Sequence, residues 1–154
     1  MRFDRNALLF AFGLLSALAI TIPAPTARAG SNDILFTAEL SDDEQSTPTY
    51  SKGKGRAEIV LERETLKITW TVTYQDLSSP PVTAGLFGPE NVGANAGMLI
   101  DFAPKGLKSP IKGSAVLSDG QLQYLITGRV YVNITSQKWQ AGELRGQLSR
   151  QPAP

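Results

Sequence analysis

Glu143, Arg145 and Gln147 stand two apart near the carboxy terminus, within G-E-L-R-G-Q-L at residues 142–148. Successive side chains of a strand point to opposite sides, so this carboxylate and guanidinium share a face. Such a pair can hold a polar ligand by charge-assisted hydrogen bonds, or act as a ladder that sets strand register. Tyr131, Asn133 and Thr135 have the same spacing in V-Y-V-N-I-T at residues 130–135. With Tyr131 against Gln147 and Asn133 against Arg145, Thr135 falls opposite Glu143. Residues 128–148 then read as a hairpin, its apolar face made by Val130, Val132, Ile134, Leu144 and Leu148. The ladder reading is favoured, because a ligand site also needs a cavity and the spacing implies none. It predicts that Glu143 and Arg145 interact directly or through Asn133, and that removing both costs less than the sum of the single losses.

Elsewhere the chemistry is sparse. The chain has no Cys and no His, which excludes a disulfide framework, a thiol nucleophile, a Ser-His-Asp triad and an imidazole metal ligand. Carboxylates, Lys and Tyr are the catalysts left. Glu44, Glu90, Asp101 and Glu143 are the candidates for a carboxylate enzyme, and nothing in their spacing brings two together. A non-catalytic role with no metal and no cofactor is therefore expected. Asp42, Asp43 and Glu44 fit no calcium-loop spacing, so residues 41–55 read as a solvated acidic loop. The glycine-rich residues 91–97 lack the Lys-Ser/Thr pair of a phosphate cradle and read as backbone geometry. Trp139, in the hairpin loop between Lys138 and Gln140, is either a contact residue or a lid over one end of the fold. Asn133-Ile134-Thr135 matches a glycosylation sequon but lies within a strand, which gives it little weight.

The elements that would position these groups are short strands. The 154 residues suit one domain with a core. Residues 1–29 read as a cleaved signal peptide: Arg2 and Arg5, an apolar run at residues 7–22, then Ala27-Arg28-Ala29. Its removal leaves 12 basic against 13 acidic residues, a net charge of −1. No basic excess points to nucleic acid, and no stable membrane span is expected after cleavage. In the mature domain, residues 30–154, period-two alternation marks strands at 34–40, 56–62, 66–74, 82–87, 98–102 and 112–117, besides the two of the hairpin. Leu66, Ile68, Trp70, Val72 and Tyr74 form the clearest core row. Leu122, Leu125 and Ile126 give the one helical hint, at 119–127, and residues 151–154 read as a frayed end. The expected fold is all-β, a single antiparallel, Greek-key-like β-sandwich of about seven or eight strands with one short helix.

The whole pattern resembles the CHRD domain, the module named after chordin and found in many secreted bacterial proteins. Gly128, Tyr131, Val132 and Asn133, then Gly142, Glu143, Arg145, Gly146, Gln147 and Leu148, match its carboxy-terminal signature. F-T-A-E-L with Glu44, Pro48 and Gly55, and T-A-G-L-F-G-P ending at Gly88-Pro89, match its opening strand and a later one. The resemblance covers residues 34–148 and implies a secreted β-sandwich with a binding or structural role. Glu44, Gly88, Pro89, Tyr131, Asn133, Gly142, Glu143, Arg145 and Gly146 are its motif positions. The departure is that Gly85, Phe87 and Thr135 stand where the family carries histidines. The implied partner is an extracytoplasmic protein or polymer, with self-association through an edge strand or Trp139 left open.

Overall fold

The structure is a computed structural model that describes residues 32–152. The expected signal peptide and its cleavage point lie outside the described residues. Nine strands and one helix follow in the order β1 (Asp33–Leu40), β2 (Lys54–Glu62), β3 (Lys67–Gln75), β4 (Pro81–Phe87), β5 (Met98–Asp101), β6 (Ile111–Val116), α1 (Asp119–Ile126), β7 (Tyr131–Ser136), β8 (Leu144–Gln147) and β9 (Ser149–Arg150). They form two antiparallel sheets, β6-β3-β2-β1-β9 and β5-β4-β7-β8. The fold is an all-β sandwich, as the alternation implies.

The central pair, β2 and β3, runs in unbroken register from Lys54 opposite Gln75 to Glu62 opposite Lys67. Ala57, Ile59 and Leu61 on one strand and Ile68, Trp70 and Val72 on the other turn into the core. Trp70 stacks on Phe102 with ring centroids 4.5 Å apart. Each large side chain buried here contributes about 1.5–3 kcal/mol. Leu66 departs from its expected place in the strand. Pairing of Glu62 with Lys67 leaves residues 63–66 to turn the chain, so Leu66 adopts a left-handed φ of 55° while its side chain still packs on the core.

Three crossings between sheets place the hairpin strands. After β1–β3 the chain passes to β4 and β5, returns for β6, and crosses again through α1 into β7 and β8. A capping box starts α1: the Gln121 amide donates to Ser118 Oγ and the Ser118 amide to Gln121 Oε1. The carboxy-terminal end is not frayed at Gln151. Ser149 and Arg150 pair with β1 as β9, and the Gln151 amide donates to the Leu35 carbonyl at 2.8 Å. An edge of β1 was available, and the polar residues beyond Leu148 carried no alternation to announce the pairing. Among the described residues no helix is long and apolar enough to cross a membrane.

Candidate functional site

The register of β7 against β8 sets Tyr131 opposite Gln147 and Asn133 opposite Arg145. On the other side β4 sets Phe87 against Tyr131, Gly85 against Asn133 and Thr83 against Thr135. Paired residues share a face, so three rows of mostly polar side chains cross the outer face of the second sheet. That face is not open to solvent. Every residue of β7 is buried, and Glu143 and Arg145 are both 0% exposed.

Two loops cover it. Ser41 exchanges backbone hydrogen bonds with Arg145, at 3.0 and 2.8 Å, and leads the chain across the sheet. Arg145 then donates from Nη1 to the Glu44 carbonyl at 2.8 Å and from Nη2 to the Asn91 carbonyl at 3.0 Å. Its guanidinium lies 3.8 Å from the centroid of the Tyr131 ring, which stacks in turn on Phe87. The Tyr131 hydroxyl accepts from the Ala96 amide at 2.9 Å. Glu44 Oε2 accepts the Gln147 amide at 2.7 Å, and the Gln147 side chain donates to the Glu90 and Gly128 carbonyls. One cation, held by carbonyls and an aromatic face, pins both loops. Residues 41–53 are thus a docked cover and not simply a solvated loop, because their backbone acceptors satisfy buried donors of the sheet.

Glu143 has its own partners. Its Oε1 accepts the Ser51 hydroxyl at 2.7 Å and the Ser78 amide at 2.6 Å. The expected contact between Glu143 and Arg145 is absent: among the described residues the ion pairs are those of Arg56 with Glu39 and Glu58. The two side chains point along different rows toward different loops. Burial pushes the Glu143 carboxyl up, but Ser136, Ser78 and Ser51 outweigh it and hold it below the ordinary range. Among the described residues Glu143 Oε2 has no hydrogen-bond partner. Burial likewise lowers Arg145, partly offset by Tyr131, Glu44 and Glu90, and the guanidinium remains a cation.

A pH dependence follows. The folded-state value of Glu143 is depressed, so the stability it contributes is present above the usual glutamate value, about 4.3, and is lost as pH falls through its own lower value. Denaturant midpoints should fall from about pH 5 downward, and less steeply in Glu143→Gln. Equal slopes in both proteins would show that Glu143 does not drive the acid limb.

Other motif positions serve the same cover. The Asn133 amide donates to the Ala141 carbonyl and accepts from Gln45, so the sequon asparagine is buried with both its amide nitrogen and oxygen bonded. Gly142 has a φ of 145°, and a Cβ there would stand 2.5 Å from Asn133 Oδ1. Gly88 and Pro89 meet the stretch before β7: the Glu90 amide and the Arg129 carbonyl bond at 2.9 Å, and Gly88 donates to Gly97. Of the three positions where histidines were expected from the resemblance, Gly85 lies so close to β5 that a Cβ would sit 2.5 Å from the Ile100 carbonyl oxygen. Phe87 is stacked, and Thr135 bonds to Thr83 at 2.8 Å. Asp101 lies apart, bonded to the Ala103 amide. Among the described residues no three His, Cys, Asp or Glu side chains gather.

An open cavity of about 430 Å³ lies beside this layer, lined by Thr49, Tyr50, Ser51, Lys52, Asp76, Ser78, Lys138 and Trp139. Ser51 and Ser78 form its link to Glu143 behind. Tyr50 is 87% exposed. Tyr50 and Asp76 both take left-handed backbone, with φ of 52° and 56°, uncommon for residues other than glycine. The Trp139 indole is half-buried beneath the Lys138 ammonium, which lies 5.2 Å from the ring, and its Nε1 has no acceptor. Sequence reasoning singled out Trp139 and missed Tyr50, Lys52 and Asp76. An aromatic in a polar, turn-rich stretch was the available signal.

These features define a β-sandwich module with a loop-covered polar face and a small open cavity at the hairpin end. A family model described as the CHRD domain matches residues 36–148, and the chain belongs to that family. No curated protein and no solved structure matches it.

Proposed function

We propose that the protein is an exported, non-catalytic binding module whose contact surface is the cavity at the hairpin end, and that its ligand is a saccharide polymer. The observation that carries this is that Tyr50 and Trp139 line one cavity together with Ser51, Lys52, Asp76, Ser78 and Lys138. Aromatic side chains suit the apolar side of a sugar ring, and Lys52, Asp76 and Lys138, which form no ion pair among the described residues, suit its hydroxyls. Glu143 and Arg145 serve this surface indirectly, by holding the loops that build it. Export is supported by the basic start, the apolar run at residues 7–22 and Ala27-Arg28-Ala29.

Titrating the protein with soluble neutral and acidic oligosaccharides while following indole fluorescence tests the reading. A saturable change is expected in the parent, and calorimetry on parent and variant should give an affinity about tenfold lower in Trp139→Ala, the scale of an aromatic anchor. No saturable response to any saccharide, or binding unmoved by loss of Trp139, would overturn it. The other tryptophan, Trp70, is 2% exposed and serves as an internal reference.

A further inference from the structure

A second concavity shares no residue with the hairpin cavity. Leu122 and Ile126 stand one turn apart on α1, and their face continues past Leu125, which enters the core. Leu66 in the β2–β3 turn, the buried Leu61 and Ile34 at the start of β1 line the same space. The space is about 290 Å³. Ile126 is 47% exposed, so apolar surface is left uncovered at the mouth. At the rim stand Arg63 and Arg150, both exposed. Among the described residues neither guanidinium has a carboxylate partner, the ion pairs being those of Arg56.

Uncovered leucine and isoleucine favour a hydrocarbon chain, by about 0.8 kcal/mol for each methylene buried. Two unpaired guanidinium groups favour a carboxylate or similar anion at its end, because their fork geometry matches paired oxygens. The volume, at the lower limit of small-molecule pockets, admits one chain and not a folded partner. We infer that this groove binds a soluble single-chain amphiphile with an anionic head, a medium-chain fatty carboxylate being the simplest case. A cationic head would meet two like charges, and a neutral one would leave both arginines without a partner.

The probe is decanoate below its micelle concentration, titrated into the purified protein by calorimetry, with decanol and decyltrimethylammonium as head-group controls. Decanoate should saturate one site, decanol should bind about tenfold more weakly, and the cation should not bind. Arg63→Gln combined with Arg150→Gln should bring decanoate down to the level of decanol. Both positions are exposed, so the fold is not at risk. Ile126→Gln should weaken decanoate and decanol alike while the melting curve stays in place. No saturable binding of decanoate would overturn the proposal, as would equal binding of the three heads or decanoate affinity indifferent to both arginines. Adsorption to anionic vesicles that decanoate does not displace would instead mark a surface contact and overturn the groove.

Discussion

Arg145→Ala should lower the unfolding free energy by about 3–5 kcal/mol, about a fifth or more of what a small domain has. The loss has three sources in the geometry. The carbonyls of Glu44 and Asn91 lose a cationic donor, and a hydrogen bond to a charged group contributes about 1.5–3 kcal/mol. Tyr131 loses the cation on its face, and a fully buried side chain leaves a hole. Arg145→Lys should recover only part, since one ammonium cannot reach both loop carbonyls and Gln147 and also lie flat on the ring. Hydrogen exchange should then speed up at residues 41–53 and 88–97, the two loops that the guanidinium holds. Urea melts of Glu143→Ala, Arg145→Ala and the double variant test the partner assignment. The strand spacing alone predicts sub-additive losses, whereas separate partner sets predict additivity within about 0.5 kcal/mol. A double variant markedly more stable than the sum would restore the direct pair. A loss below about 1 kcal/mol in Arg145→Ala would mean that water replaces the guanidinium without penalty.

Gly146→Ala should cost about 3 kcal/mol, more than removal of any exposed side chain. A Cβ at this position would stand 2.2 Å from the Glu39 carbonyl oxygen and 3.0 Å from the Ala38 Cβ, both on β1. Neither can yield cheaply, because Glu39 and Ala38 are paired with Arg56 and Ala57 of β2. Relief would need β8 to lift from β1, breaking the bridge between Ser41 and Arg145 and loosening the cover above it. Gly120→Ala is the matched control. It lies in α1 with nothing within 4 Å of the added atom, and should raise stability by about 0.5 kcal/mol through helix propensity. Thermal or urea unfolding of the two variants checks both. A Gly146→Ala protein within 1 kcal/mol of the parent would show that the two sheets are free to separate at this corner.

Alternation along β1–β3 and along the hairpin was enough to read a sandwich, its core row and the register of Tyr131 and Asn133 against Gln147 and Arg145. The α1 span was legible from Leu122, Leu125 and Ile126, and the family from the G-E-L-R-G-Q-L run. These are local patterns, set by side-chain period and turn residues within a few positions. What covers each face is not local. The acceptors that bury Arg145 come from residues 101 and 54 positions away, and the hydroxyl that meets Glu143 from 92 away. A polar face under a loop has the same alternation as a polar face under water. So the spacing of Glu143 and Arg145 suggested a pair, while the crossing of two loops over the sheet gave each its own partners. The tertiary fold also brought Tyr50, Asp76 and Trp139 around one cavity, from three segments that carry no common signal. Strand period depends on the backbone of one segment, but burial depends on where distant segments are carried by the crossings between sheets.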